Sequence, residues 1–155
     1  MYKTMALSVL ALTLFAGCAT VPMAETEKSE MAKNFDAPSD GNAGLYIYRS
    51  GSIGGILKKD VWVDDECVGE TAPDIFFHMD VKGDMEHKIS TESEFSPNDL
   101  MLHTDGGKNY FVKQYIKLGV FVGGANLELV DEEEGKKDIK KLKMAEMGHC
   151  SGTRQ

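Results

Sequence analysis

The sequence predicts a mainly β protein: an antiparallel β-sandwich or barrel-like domain followed by one C-terminal α-helix. Three observations carry this expectation. From Gly44 onward apolar residues recur with a period of two, as in Leu45-Tyr46-Ile47-Tyr48 and Val61-Trp62-Val63, the pattern of strands with two distinct faces. Turn signals at Lys82-Gly83-Asp84, Ser96-Pro97-Asn98 and Asp105-Gly106-Gly107 cut the chain into roughly eight short strands, the spacing of a sandwich or barrel. Long helical crossovers are missing between those strands, which argues against a parallel sheet.

The elements follow in order. Lys3 precedes an apolar stretch from Met5 to Ala16, shorter than the roughly 20 residues of a permanent transmembrane helix. A charged start, a short apolar middle and a small-residue end describe a signal peptide over residues 1–17. The small pair Ala16-Gly17 runs directly into Cys18, and Leu14-Phe15-Ala16-Gly17-Cys18 resembles the bacterial lipobox, although Phe15 stands where Leu is commonest. That resemblance implies acylation of the Cys18 thiol and cleavage before it, so that Cys18 becomes a lipidated first residue. Each buried acyl CH₂ contributes about 0.8 kcal/mol, and several chains on one residue make a nearly permanent anchor. Ala19, where an acidic residue resembles an inner-membrane retention signal, implies the outer membrane, with the protein facing the periplasm. The alternative is an ordinary secretory signal with an incidental Cys.

Residues 18–43 are rich in Ala, Glu, Ser and Lys without a steady apolar period. They read as a lipidated flexible tether with a transient helical turn around Glu25–Lys33. The domain is expected over 44–147. Its Gly51-Ser52-Ile53-Gly54-Gly55 run is followed by a strand, so it lacks the helix N-terminus that a phosphate-cradling loop needs. Val61 to Glu70 forms a hairpin around an acidic turn. Further strands are expected at Ile75–Val81, Glu86–Ser93, Leu100–Thr104, Tyr110–Leu118 and Ala125–Val130.

Asp131 then caps a helix, with Glu134 three residues on as its capping-box partner. Acidic residues fill the first turn, while Lys140, Lys141 and Lys143 fill the last, as the helix dipole favours. Glu132–Lys136 and Glu133–Lys137 are favourable pairs one turn apart. Gly135 weakens this helix by about 1 kcal/mol relative to Ala. Residues 148–155 read as a frayed, disordered tail.

The formal charge of −8 repels polyanions and argues against nucleic acid as a partner. With Cys18 committed to lipid, Cys67 and Cys150 remain. An oxidising compartment permits a disulfide between them, but nothing in the sequence brings them close, and two free thiols is the plainer expectation.

Val61-Trp62-Val63-Asp64, Ser90 to Phe95, and Tyr110 to Ile116 continuing through Gly123-Gly124 to Leu127-Glu128-Leu129-Val130 together resemble the small bacterial lipoprotein family known as domain of unknown function DUF2846. The resemblance covers roughly residues 42–143 and the lipobox. It implies no activity, cofactor or catalytic residue. The family pattern often has a Pro-Gly turn before the strand that holds His87, whereas Lys82-Gly83-Asp84-Met85 is longer and lacks the proline.

Few residues form a pattern that points to chemistry. Strand register sends His87 inward with Ile89 and His78 outward with Phe76, and His103 also points outward. No His-x-His or Cys-x-x-Cys spacing compensates, so no metal or cofactor is expected. No G-x-S-x-G occurs, and Cys67 sits inside a hairpin strand rather than on a strained turn. Glu92 and Glu94 share a strand face as an ordinary polar surface.

The most suggestive surface is aromatic. Tyr110, Val112 and Ile116 alternate as a core face and leave Phe111, Lys113 and Tyr115 on the other; Trp62 likewise opposes aliphatic neighbours. If a second sheet and the helix cover both faces, these residues are core. Otherwise Trp62, Phe111, Lys113 and Tyr115 form a binding patch. The sequence therefore describes a non-catalytic envelope lipoprotein with an envelope-protein or cell-wall partner, or alternatively a periplasmic carrier of a small lipophilic ligand.

Overall fold

The computed structural model describes residues 20–93, 97–117, 119–121 and 123–152. Helix α1 (Thr26–Ala32) precedes β1 (Asn42–Arg49), β2 (Lys59–Val63), β3 (Glu66–Thr71), β4 (Ile75–Lys82), β5 (Met85–Thr91), β6 (Asn98–Thr104), β7 (Asn109–Lys117) and β8 (Gly124–Val130). Helix α2 (Glu132–Ile139) and a short strand β9 (Lys143–Met144) complete the fold. The strands form a five-stranded sheet ordered β8-β7-β1-β4-β9 and a four-stranded sheet ordered β3-β2-β5-β6. The two stack as a sandwich, and neither closes into a barrel.

The sheets are not wholly antiparallel. β1 pairs parallel with β7, and β4 pairs parallel with β9. Parallel neighbours need a long connection. Between β1 and β7 that connection is made of strands β2 to β6, not of a helix, so the missing crossover helices exclude a parallel sheet but not these two parallel neighbours within mostly antiparallel sheets.

Period two decides the layers. On β1, Leu45 and Ile47 face the second sheet and pack with Phe77, Val112, Val61 and Ile89. Tyr46 and Tyr48 face the other way, where Phe76 and Phe111 meet Ala32, Ile139, Leu142 and Met144. The molecule thus has three layers, sheet, sheet and helices, with β1 buried on both faces. Burying each such side chain contributes about 1.5–3 kcal/mol. Gln114 spans the gap between the sheets: its Nε2 donates to Thr91 Oγ1 at 2.7 Å, and its Oε1 meets the Thr71 hydroxyl. A satisfied buried network of this kind fixes how one sheet sits on the other.

Turn and cap chemistry matches the sequence. Asp64 and Asp65 both adopt positive φ, 51° and 70°, as the tight turn of a twisted hairpin requires. Asp131 Oδ1 accepts from Glu134 N at 2.8 Å, capping α2, and Glu132 pairs with Lys136. The helix ends earlier than expected, at Ile139; Lys143 belongs to β9 instead. Gly135 has a tertiary reason: a Cβ there would lie 2.3 Å from Phe111 Cγ.

Two segments differ from their sequence reading. Residues 20–43 are docked, not a free tether. Met23 bridges Ala145, Glu146 N donates to Pro22 O at 2.9 Å, and Met144 N donates to Ser29 Oγ at 3.1 Å. Ser29 and Ala32 are buried. This segment attaches mainly through backbone and small residues to a partner far along the chain, so it shows no apolar period. The 148–152 stretch is also held, by a Cys67–Cys150 disulfide, by a His149 O acceptor for Glu70 N at 2.7 Å, and by the buried Asp60 carboxylate. That carboxylate accepts from Ser151 N at 3.1 Å and Gly152 N at 2.9 Å. The expectation of two free thiols and a frayed tail is thereby corrected for these residues; 1–17, Cys18 and 153–155 lie outside the described residues.

Candidate functional site

The proposed aromatic patch divides. Trp62 lies opposite Cys67 on β2 and is 6% exposed; it shares a strand face with Asp60, over which the C-terminal stretch is tied. Phe111 is 1% exposed and stacks on Tyr46, ring centres 5.0 Å apart. Both are therefore core, a correction to their reading as contact residues. Alternation reveals that a strand has two faces but not what covers the second.

Lys113 and Tyr115 do reach the surface. Lys113 Nζ lies 3.2 Å from Glu134 and 3.4 Å from Asp138 of α2. Burial opposes its charge, but these carboxylates outweigh it and hold the pKa above the usual lysine value. Asp138 also accepts from the Tyr48 hydroxyl at 3.1 Å, so Lys113 helps seat the helix. Tyr115 is 37% exposed, and its hydroxyl accepts from Asn126 Nδ2 at 2.9 Å.

The histidines separate as register implies. His87 is buried, with Nδ1 2.6 Å from Asp64 and Nε2 2.8 Å from Lys82 O. Burial opposes its charge, but two acceptors outweigh it and raise its pKa. His103 and His149 are exposed. Among the described residues, no three potential metal-ligating side chains of the His, Cys, Asp and Glu types converge.

His78 is different. It stacks on Tyr46 with ring centres 4.2 Å apart and lines a cleft of about 310 Å³ between α1, the segment after it and β4. Lys28, Asp36, Ser39 and Asp80 share the lining. Burial lowers the His78 pKa, assisted by Lys28 and opposed by Asp80, so the imidazole is neutral near pH 7. Burial, with Asp36 and Asp80 nearby, pushes Tyr46 up to about 12, and its hydroxyl donates to Ala32 O at 2.9 Å. Ser39 Oγ donates to Asp80 at 2.7 Å.

This serine faces a carboxylate rather than an imidazole base, so the cleft lacks an assembled nucleophile–base pair. Its lining combines a lysine, carboxylates, an imidazole and an aromatic ring. The sequence reading missed it because α1, one wall of the cleft, has no apolar period to announce it.

Residues 39–125 match the family model described as protein of unknown function (DUF2846). The chain belongs to this family. It is also similar to a Haemophilus influenzae protein described as uncharacterized, 62% identical over 132 residues, which is 85% of this chain and 78% of that protein. No solved structure matches the chain. The family region runs from just before β1 to the start of β8, so it holds the four-stranded sheet and strands β1, β4 and β7 of the other, but neither helix, β9 nor most of β8. Tyr46, His78 and Asp80 therefore belong to the family region, whereas Lys28 and Asp36 lie outside it.

Proposed function

We propose that the protein is a non-catalytic, lipid-anchored module of the bacterial envelope, held at the outer membrane by acyl chains on Cys18 and binding an envelope-protein or cell-wall partner from the periplasmic side. The observation that carries this reading is the run Leu14-Phe15-Ala16-Gly17-Cys18. Two features support it. The Cys67–Cys150 disulfide suits an oxidising compartment, and the folded body begins by Thr20–Met23, so the anchor lies next to the domain. Lys113, Tyr115 and the His78 cleft offer polar and aromatic contacts for a partner.

The alternative, a carrier of a small lipophilic ligand, would have to use a surface cleft, because apolar side chains and the Gln114 network fill the space between the sheets. Intact mass and membrane fractionation of the native protein and Cys18→Ser test the anchor. An acyl-sized mass increment and membrane sedimentation, both lost in the variant, are expected. A soluble, unmodified native product would overturn the reading.

A further inference from the structure

One end of the sandwich carries an unusual concentration of exposed apolar side chains. β1 and β7 run parallel, so the loops that leave their C-terminal ends emerge side by side. They pack together: a Cβ on Gly54 would lie 2.8 Å from Ile116, and one on Gly123 would lie 2.6 Å from Leu57. The buried Arg49 braces the first loop, donating to Leu57 O at 2.6 Å and Gly54 O at 2.6 Å. Apolar side chains nevertheless project from both loops. Ile53 is 75%, Ile56 79%, Val120 75% and Phe121 83% exposed. Large apolar groups grouped at one end of a domain mark a docking surface.

The path of the N-terminal chain says what covers it. Gly51 N donates to Asp74 Oδ1 at 2.9 Å, tying the first loop to the β3–β4 turn. That turn shares an apolar cleft of about 360 Å³ with Thr20, Val21 and Met23. Thr20 is two residues from Cys18, a span of at most about 7 Å. An acyl anchor on Cys18 would thus start close to the apolar end and would hold the domain near the bilayer. Lys141 and Lys143 border the same cleft, and Lys117 ends β7; lysines at this depth keep their heads among lipid headgroups while their stems lie along apolar surface. Tyr115, half-exposed near the end of β7, suits the same interface.

We infer that the β1–β2 and β7–β8 loop tips, through Ile53, Ile56, Val120 and Phe121, seat in the phospholipid surface to which Cys18 is anchored. The inference rests on the lipid-anchored reading above. The bilayer then holds the domain in one orientation, with the opposite end, at Met85 and the β4–β5 turn, directed away from it.

The test uses the full, processed protein reconstituted into phosphatidylethanolamine–phosphatidylglycerol vesicles, with Ile56→Trp, Phe121→Trp and, as the distal reference, Met85→Trp. Quenching of the added fluorescence by acyl-brominated lipid is read against the Trp62 background, and intact mass is read on the same samples. Several-fold stronger quenching at positions 56 and 121 than at 85 is expected. Equal or absent quenching at all three overturns the docking. Tips shielded in whole envelopes but unquenched in vesicles also overturn it, in favour of a protein cover. An acylated Cys18 with unquenched tips leaves the anchor standing, whereas an unacylated Cys18 removes the anchor and the docking together.

Discussion

Replacing Gly135 by Ala sets helix propensity directly against tertiary packing. In an exposed helix the change stabilises by about 1 kcal/mol. Here the new Cβ would lie 2.3 Å from Phe111 Cγ, 2.5 Å from its Cβ and 2.6 Å from its Cδ1. Ordinary carbon contacts are about 3.5–4.0 Å, so α2 or β7 must give by about 1 Å. The Phe111 Cβ is one bond from the backbone and cannot swing aside. Lifting α2 also loosens Ile139, which is wholly buried beneath it. Overpacking costs about 1–3 kcal/mol, and the closeness of three contacts places this case at the upper end. The net expectation is a loss of about 2 kcal/mol, or about 6 °C in Tm for a domain of this size.

Urea unfolding followed by circular dichroism measures it, with an unchanged slope to show that both states stay comparable. Phe111→Leu supplies the partner for a double-mutant cycle, and Gly135→Ala should cost less in that background. A variant as stable as the native protein, or more so, would refute the packing account of Gly135.

Other consequences are equally direct. Trp62→Ala should destabilise by about 3–5 kcal/mol as a core truncation, whereas Tyr115→Ala should stay within about 0.5 kcal/mol; equal thermal shifts for the two would contradict their different burial. Cys67→Ser or Cys150→Ser should each cost about 2–4 kcal/mol, since the bridge closes a separation of 83 residues, and denaturation matching the native protein would show that the bridge is idle.

The His87–Asp64 pair sets a pH dependence. With the His87 pKa raised, its contribution is complete below the unfolded value near 6.5 and is lost as pH rises through the folded pKa; with the Asp64 pKa lowered, its contribution is lost as pH falls below about 4. His78 acts oppositely, losing its contribution as pH falls below about 6.5. Asp64→Asn should therefore weaken the loss of stability on moving from about pH 6 to above the raised His87 pKa; an unchanged profile would remove the pair from the account. Asp60→Ala should speed amide exchange at Ser151 and Gly152, and unaltered exchange there would mean that something else holds the tail.

Strands β1 to β8 were legible in the chain to within a few residues at each end, because alternation and turn residues act locally; the two-residue β9 was not. Leu45 and Ile47 oppose Tyr46 and Tyr48 as read, Asp64-Asp65 turns the hairpin, and Asp131 caps α2. The sequence also placed His78 and His87 on opposite faces, since register follows from which residues must be buried. What covers each face depends on packing between segments far apart in the chain. The second face of β1 and β7 lies under helices, which turned Phe111 from a contact candidate into core and made Gly135 a packing requirement; Trp62, on β2 of the other sheet, is buried on the face where the C-terminal stretch is tied to Asp60. Docking of residues 20–43, the parallel β1–β7 pair, the Cys67–Cys150 bridge and the His78 cleft all join residues distant along the chain. Such contacts leave little local pattern, because their energy comes from a partner that the sequence does not position until the whole sandwich has closed.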